Sequence, residues 1–422
     1  MADATVRTPA VSVILAMRNR VYLDHAATTP LDPRVLEAML PYLTEHWGNP
    51  SSLYAEAQDV RQGLDWARRT VSARLGCKPQ EIVFTSGGTE SDNLALRGVA
   101  QACRHRGNHI ITSAVEHHAV LHAAERLERE GIRVTYLPVD GEGFIDLAEL
   151  ERAVGPETVL VSIMQVNNEV GAVEPIEEAV RVVKGKNPQT VFHTDAVQAI
   201  GTVDVNVDRL GVDLLSIGAH KFYGPKGVGA LYVRRRAPLL PQQLGGSQEK
   251  GRRAGTENVA GLVGMAKAME LAGDEFEART AHYRALQARI FQELPQRVPN
   301  VHLTGPKDLS RRAPNSFSCC LEYIEGEAVL MALDLAGVAA SSGSACTSGS
   351  LEPSHVLTAM GLPLDLARGS LRLTVGKDTT EEEIDQLLEA LPEIVSRLRS
   401  LSPTWPERNS SETESRAGSG SL

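Results

Sequence analysis

Lys221 and Asp195 are the residues of this sequence whose types and surroundings most clearly predict chemistry. They lie in the segments GAHKFYGPKG (218–227) and HTDAVQ (193–198). A lysine amine forms a productive Schiff base only when its surroundings activate it and position the aldehyde. A carboxylate at the end of a buried strand suits the protonated pyridine nitrogen of pyridoxal phosphate, the cofactor that needs both groups. The pair therefore predicts a pyridoxal phosphate enzyme, and a helix N-cap is the alternative role of Asp195.

A third candidate, Cys346, lies far along the chain in the segment SSGSACTSGS (341–350). Small and polar residues surround it, and no second cysteine is adjacent. This composition predicts a mobile loop, which suits a thiol that must travel to its target. Cys346 is therefore the candidate nucleophile, with an incidental loop cysteine as the alternative.

The segment TSGGTESDN (85–93) predicts a phosphate site. It follows a predicted strand and opens a predicted helix, so the amides of Gly88 and Thr89 and the Thr89 hydroxyl meet the positive end of the helix dipole. His220 can donate to the same phosphate, and Gln198 can reach the phenolic oxygen of the cofactor. The alternatives are a plain helix cap and a structural histidine at a strand end.

His117, in SAVEHHAV, follows another predicted strand and can stack over the cofactor ring and move protons. Its neighbours His118 and His122 raise the alternative of a metal cluster. No carboxylate or thiol lies nearby at a spacing typical of metal ligands. The sequence therefore predicts no resident metal, and a purely structural histidine remains the second alternative.

Arg372, in SLRLTVG, is the candidate for binding a substrate carboxylate. It lies on a predicted strand flanked by apolar residues, where an unpaired guanidinium would be costly, so a bound carboxylate or a buried acid must pair with it. Asn168, in VNNEVGAVEP, ends another predicted strand and can contact both substrate and cofactor. A structural role is the alternative for each residue.

Apolar runs alternate with helical patterns through the middle of the chain. The predicted strands are 81–86, 109–114, 132–139, 158–166, 190–195, 213–220 and 229–234. This alternation predicts an α/β fold with a doubly wound, mainly parallel sheet. Ligands bind such sheets at the carboxyl ends of the strands, where these candidate motifs fall.

A smaller α+β domain is predicted after residue 260, from helical stretches at 258–295 and 381–400 and strands near 314–324 and 370–376. The turn-rich segment 21–33 is predicted to pack on it. The predicted organisation is an N-terminal extension (1–20), a small domain (21–33 with 265–401), a large cofactor-binding domain (34–264) and a disordered polar tail (402–422).

Charge and cysteine content restrict the partners and the compartment. The 422 residues carry a net charge of −10, which argues against nucleic acid or an anionic membrane as the main partner. No apolar run approaches the roughly 20 residues of a membrane span. Five scattered cysteines do not form a disulfide framework, so a reducing, cytoplasmic setting is predicted. Cys319 and Cys320 are predicted on a half-buried strand.

Taken together, these motifs resemble the cysteine desulfurases of the NifS/IscS type, within the class V aminotransferase-like pyridoxal enzymes. The resemblance extends from about Val21 to Arg399 and is carried by LDHAATTP, GNPSS, FTSGGTESDNLA, VEHHAV, VNNEVG, HTDAVQ, HKFYGPKGVGALYVR, RRAGTENVAG and SSGSACTSGSLEPSHVL. It implies the aspartate aminotransferase-type fold, fold type I. It also implies conversion of L-cysteine to L-alanine, with the sulfur held as a persulfide on Cys346.

The resemblance further implies a homodimer in which Thr256 reaches the phosphate of the neighbouring subunit's cofactor. It implies Lys221 as the lysine that carries the cofactor, and Asp195, Gln198, His117, Asn168 and Arg372 in the roles given above. The long cysteine segment resembles the group that delivers sulfur to an iron–sulfur scaffold protein, and it leaves open whether Cys346 contacts an iron–sulfur cluster in such a complex.

One position departs from the family pattern. Gly218 stands where the family commonly has serine, which removes one hydroxyl contact to the phosphate, worth about 1 kcal/mol. Three alternatives to a desulfurase remain: a selenocysteine lyase, a class V aminotransferase in which Cys346 has no task, and a non-enzymatic sulfur-carrier scaffold. The intact Lys221, Asp195 and His117 argue against the last.

Overall fold

The computed structural model describes residues 20–343, 353–403 and 405–406. The strands are β1 (Val21–Tyr22), β2 (Ile82–Thr85), β3 (His109–Ser113), β4 (Arg133–Leu137), β5 (Thr158–Ser162), β6 (Val191–Asp195), β7 (Leu214–Gly218), β8 (Gly229–Val233), β9 (Val301–Leu303), β10 (Ser316–Leu321), β11 (Val338–Ala339) and β12 (Ser370–Thr374).

The α-helices are α1 (Pro33–Thr44), α2 (Ala55–Leu75), α3 (Gly88–Ala102), α4 (His118–Arg129), α5 (Leu147–Ala153), α6 (Ile176–Lys186), α7 (Val207–Leu210), α8 (Val259–Asp274), α9 (Phe276–Arg297), α10 (Gly326–Leu335), α11 (His355–Ala359), α12 (Leu364–Ala367) and α13 (Glu381–Leu401). Among the described residues, none of these helices is long and apolar enough to cross a membrane.

A seven-stranded sheet in the order β2-β8-β7-β6-β5-β3-β4 forms the centre of the molecule. All neighbouring strands are parallel except β8, which runs antiparallel to both β2 and β7. One face packs on α1, α2, α6 and α8, and the other packs on α3 and α4. Burial on both faces explains why the strands are continuous apolar runs, and it confirms the predicted doubly wound α/β fold.

A second, antiparallel sheet in the order β12-β10-β9 packs against α9, α10 and α13. Cys319 and Cys320 lie on its middle strand, and both are fully buried. The prediction of a half-buried strand was wrong, because helices cover the Cys319 face while a separate apolar cluster containing Val356 and Leu357 covers the Cys320 face.

Three local features differ from or extend the sequence prediction. The stretch 258–295 is two helices, α8 and α9, which meet at Glu275. Helices α1 and α2 were not predicted. The start of the segment 21–33 contacts the part of the chain around the smaller sheet, because β1 pairs with β11 and Leu23 O accepts a hydrogen bond from Thr374 N at 2.8 Å. Its end contacts the turn after β7, where Asp32 N donates to Tyr223 O at 3.1 Å. The predicted domain boundaries stay predictions.

Candidate active site

The candidate residues gather at one edge of the large sheet. Asp195 is the last residue of β6, and Lys221 ends the 3₁₀ turn that follows β7. His117 follows β3 and Asn168 follows β5. Since these four strands are parallel, their carboxyl ends bring the four residues to the same edge.

Lys221 is held by the segment that leads from the smaller sheet. Its Nζ donates to the carbonyl oxygens of Ala26 at 2.5 Å and Ala27 at 2.8 Å. The Nε2 of Gln198 donates to the same Ala26 oxygen at 2.9 Å. Thr29 ties the two segments together, because its hydroxyl donates to His220 O at 2.9 Å. The segment 26–29 therefore fixes the position of the lysine and leaves its amine hydrogen-bonded.

Asp195 is buried, and its Oδ1 accepts a hydrogen bond from Val197 N at 2.8 Å. This bond is of the capping type that was the alternative role of Asp195. Burial raises the pKa of Asp195 to about 6, although the Val197 amide and the charge of Lys221 oppose the increase. A cationic group bound next to this buried carboxylate would stabilise its ionised form.

Two further acids lie near Asp195, and sequence reasoning missed both. Asp92 is fully buried, and its pKa is raised well above the usual value by burial and then by the charge of Asp195. Burial also raises the pKa of Glu116 to about 8; its Oε1 accepts from Ser113 Oγ at 2.6 Å and from Met164 N at 2.9 Å. Burial therefore favours the protonated form of all three acids, and the charge of Asp195 adds to that effect at both Asp92 and Glu116.

A sequence signal for Asp92 existed. It lies on the same face of α3 as the buried residues Ala95, Leu96 and Val99, so the apolar periodicity places an acid at a core position. Such an acid must be neutral or paired.

His117 is the N-cap residue of α4, and its Nδ1 accepts a hydrogen bond from Ala119 N at 3.1 Å. Burial and then the charge of Lys221 lower the pKa of His117 to about 4. The ring is therefore neutral at pH 7, and its proton lies on Nε2. His117 can donate a proton from Nε2 to a group bound beside Lys221.

The predicted phosphate site lies at the N-terminus of α3. Gly88 begins the helix, and a methyl group placed on it would lie 2.5 Å from Val197 Cγ2, so only glycine fits there. A methyl group on Gly218 would lie 3.4 Å from Gly88 N, an ordinary contact distance, so Gly218 faces the same helix end. Thr89 is exposed in the first turn.

His220, two residues beyond Gly218, is neutral at pH 7. Its Nδ1 is 3.2 Å from Thr28 Oγ1, and burial, followed by the charges of Lys221 and Lys226, lowers the pKa of His220 to about 4. His220 can therefore donate a hydrogen bond from a neutral ring N–H to an anion.

Arg372 is buried on β12 and has an acid partner. Its Nη2 donates to Asp24 Oδ1 at 2.8 Å, and its Nη1 donates to Asn168 O at 2.9 Å. The sequence required a bound carboxylate or a buried acid as the partner of Arg372, and the structure supplies an acid, Asp24, that is only partly buried. The Nε of Arg372 is also buried and has no hydrogen-bond partner among the described residues, so this N–H is a candidate donor to a ligand.

Two predicted residues are not brought to this edge by the described chain. Cys346 lies outside the described residues. Thr256 is exposed in the segment before α8, and its contact with the cofactor of a second copy stays a prediction. Within the described ranges, no group of three or more His, Cys, Asp or Glu side chains is arranged to hold a metal ion.

Comparison with known proteins gives the family of the chain. The sequence pattern of the aminotransferase class-V family matches residues 21–387. The chain is 50% identical over 391 residues to cysteine desulfurase IscS of Clostridium botulinum, an alignment that covers 93% of this chain and 98% of that protein. It is 51% identical over 387 residues to the protein of the same name from Dictyoglomus turgidum, covering 92% and 97% of the two chains.

Solved structures agree with these sequence matches. A NifS-like protein superposes with a TM-score of 0.85 at 41% identity, covering 90% of this chain and all of that chain. A structure described as SspA in complex with cysteine superposes with a TM-score of 0.74 at 35% identity, covering 85% of this chain and 100% of that chain. The family match spans most of the chain, and the named relatives share half of its residues. The chain therefore belongs to the aminotransferase class-V family and, within it, to the cysteine desulfurases.

Proposed function

We propose that this protein is a pyridoxal phosphate-dependent enzyme that converts L-cysteine to L-alanine and transfers the sulfur to Cys346 as a persulfide. The observation that carries the proposal is the convergence of Lys221, Asp195 and His117 at the carboxyl ends of parallel strands, with Lys221 close enough to influence the pKa of both other residues. Cysteine desulfurases and class V aminotransferases in general depend on this cofactor.

The residues present fit pyridoxal phosphate. The N-terminus of α3 has room for a phosphate, because a methyl group placed on its N-cap residue Gly87 would meet no other described atom within 4 Å. The amides of Gly88 and Thr89, the Thr89 hydroxyl and the neutral His220 would hold the phosphate. Asp195 would pair with the pyridine nitrogen, and Gln198, whose Nε2 already donates to Ala26 O, would reach the phenolic oxygen with its second hydrogen.

When bound, the cofactor supplies an electron sink for the carbanion formed at the substrate α-carbon. Arg372 orients the substrate carboxylate through its Nε, which has no hydrogen-bond partner among the residues described, and Asn168 contacts the same guanidinium through its carbonyl oxygen. The Lys221 amine takes the substrate's α-proton. His117 donates the proton on Nε2, because its Nδ1 is already occupied by Ala119 N.

The thiolate of Cys346 then attacks the substrate sulfur. The carbon–sulfur bond of cysteine breaks, the sulfur–sulfur bond of the persulfide forms, and the carbon retains the electron pair and a proton, giving alanine. L-cysteine and the Cys346 thiol together contain all the atoms of L-alanine and the persulfide, so no external oxidant or reductant is needed.

The homodimer is a further part of the proposal. Large apolar side chains of α1 and the segment after it are exposed, among them Trp47 at 72% and Leu53 at 93%, and Leu244 is 81% exposed in the segment that leads to Thr256. Exposed apolar side chains in such number are typical of a surface that a second copy covers. Thr256 would then reach the cofactor phosphate of the partner.

We also propose a cytoplasmic location and an iron–sulfur scaffold protein as the sulfur acceptor. Cys77, Cys103, Cys319 and Cys320 are all free thiols, as a reducing compartment requires. The proposal of this acceptor is supported by the long segment around Cys346 and by relatives named IscS. A pull-down of persulfidated protein with an iron–sulfur scaffold, followed by transfer of labelled sulfur, tests the assignment.

The activity is tested by incubating the cofactor-loaded protein with L-cysteine and measuring alanine, sulfide and the mass of the Cys346 peptide. Alanine in equal amount to total sulfur released, with one added sulfur atom on Cys346, supports the proposal. A keto acid in place of alanine would identify an aminotransferase. Turnover of L-selenocysteine but not of L-cysteine would identify a selenocysteine lyase. Bound cofactor with no product from either substrate would favour the non-enzymatic sulfur-carrier scaffold.

Gly218→Ser is expected to tighten cofactor binding. A serine Cβ at this position has room, 3.4 Å from Gly88 N, and its hydroxyl would add a contact to the bound phosphate. One such hydrogen bond contributes about 1 kcal/mol, so the dissociation constant of pyridoxal phosphate should fall about fivefold. Fluorescence titration of the cofactor-free protein measures it. Gly218→Ala, which fills the space without a donor, is the control, and equal affinity of the two variants would contradict the prediction.

A further inference from the structure

Glu169 is a buried acid that the proposed mechanism does not use. It lies in the turn between β5 and α6, where the Oδ1 of Asn167 accepts from Glu169 N at 2.9 Å and from Val170 N at 3.0 Å. Gly171 adopts a φ of 74° to complete the turn. The backbone of Glu169 is therefore fixed, and its side chain is directed into the protein with only 4% of the residue exposed.

The carboxylate of Glu169 contacts Ser354. The Ser354 hydroxyl donates to Glu169 Oε2 through a short hydrogen bond. The same hydroxyl oxygen accepts from Val356 N at 3.1 Å and from Leu357 N at 3.2 Å, as the N-cap of α11. Because the oxygen is used as an acceptor by two amides, its single proton is available for Glu169.

Gly343 packs against both the same carboxylate and Ser354. A methyl group placed on Gly343 would lie 2.4 Å from Glu169 Oε2 and 3.1 Å from the Cβ of Ser354. Glycine at 343 is therefore required by close approach, and Gly343, Glu169 and Ser354 form one contact. Gly343 precedes Cys346 by three positions and Ser354 follows it by eight, so the carboxylate touches both ends of the segment that carries the proposed nucleophile.

The same region is joined to the substrate-carboxylate site. Ser341 pairs with Arg372 through two backbone hydrogen bonds of 2.7 and 3.2 Å. Arg372 also donates to the carbonyl of Asn168, the residue before Glu169. Hydrogen bonds therefore connect Arg372 to residue 341, two residues before Gly343 at the start of the Cys346 segment.

We propose that Glu169 is a positioning residue for Cys346, holding Gly343 and Ser354 together so that both ends of the intervening segment have a fixed position relative to Arg372. This inference rests on the proposed role of Cys346. Anchoring both ends restricts the volume that the thiol can explore and raises its effective concentration at the substrate sulfur.

An ionised or strongly accepting group is needed at position 169. Burial raises the pKa of Glu169 to about 7, and the Ser354 hydroxyl and the charge of Arg372 oppose that increase. A carboxylate accepts a shorter and stronger hydrogen bond from the hydroxyl than an amide does. Glu169→Gln, which preserves the shape, therefore weakens the contact with Ser354 with little change in packing.

The test compares Glu169→Gln with Glu174→Gln. Glu174 is a buried acid just beyond the same turn, and its Oε2 accepts from Ile145 N rather than from Ser354. In single-turnover reactions with L-cysteine, persulfide formation on Cys346 should be about tenfold slower or more in Glu169→Gln, because displacement of a reacting group by a fraction of an ångström is costly. Glu174→Gln should react at the wild-type rate.

Three further measurements separate positioning from a structural defect. The melting temperature, the affinity for L-alanine and the rate of Cys346 alkylation by iodoacetamide should not fall in Glu169→Gln, because the thiol and the carboxylate site are intact. Persulfide formation at the wild-type rate in Glu169→Gln would overturn the inference. A loss of L-alanine affinity as large as the loss of rate would also overturn it, because Glu169 would then act through Arg372. Absence of persulfide on Cys346 in the wild type would instead overturn the proposed function and, with it, this inference.

A double-mutant cycle tests the contact itself. Gly343→Ala should slow persulfide formation when Glu169 is present, because the added methyl group meets the carboxylate at 2.4 Å. The same substitution should have little further effect in a Glu169→Ala background, where that collision is absent. Independent, additive effects of the two substitutions would show that Glu169 and Gly343 do not act together.

Discussion

Lys221→Ala should abolish the turnover of L-cysteine, with kcat/KM reduced by about 10³-fold or more, because both covalent attachment of the cofactor and transfer of the α-proton depend on this amine. The fold should be retained, since Lys221 is only partly buried and lies at the edge of the large sheet rather than in its core. Alanine release from L-cysteine measures the loss. Borohydride reduction followed by peptide mass analysis should locate the cofactor on Lys221 in the wild type.

Lys226→Ala is the matched control for this substitution. Lys226 is exposed in the same turn and also influences the pKa of His220 through its charge, so its removal takes away a similar positive charge without removing the proposed reactive amine. Activity of this variant should stay within about twofold of the wild type, as is typical of an exposed position. Comparable losses in both variants would mean that the charge, rather than the amine of Lys221, is what the reaction needs.

Cys346→Ala should reduce sulfur release from L-cysteine by about 10³-fold or more, because the proposed reaction has no other nucleophile for the substrate sulfur. The described cysteines cannot replace it: Cys103, Cys319 and Cys320 are fully buried. Cofactor content and affinity for L-alanine should be unchanged, since neither depends on the thiol. Sulfide, alanine and peptide-bound sulfur measure the effect.

Cys77→Ala is the control for the cysteine substitution. Cys77 is partly exposed, but burial raises its pKa to about 12, so it is a poor nucleophile at neutral pH. This variant should release sulfur at the wild-type rate. If Cys346→Ala retained desulfuration, the persulfide mechanism would be wrong, and if it formed a keto acid at the wild-type rate, the chain would act as an aminotransferase.

Much of the fold and part of the candidate site follow from local sequence. Continuous apolar runs separated by helical patterns specify buried parallel strands, and parallel strands bring their carboxyl ends together whatever their order in the sheet. Lys221, Asp195, His117 and Gly88 each lie just at or beyond such a run, so their convergence could be predicted. Glycine at 88 and Arg372 on an apolar strand are further local signals, because each violates the ordinary preference for its position.

Other features are decided only by tertiary structure. The pairing of Arg372 with Asp24 joins residues 348 positions apart, and the contact of Glu169 with Ser354 spans 185 positions. The raised pKa of Asp92 arises because folding removes it from water and places it near Asp195. Residue type and spacing specify which strands form and where each ends; desolvation and long-range contact exist only once the chain has folded, so they determine which acids ionise and which distant segments meet.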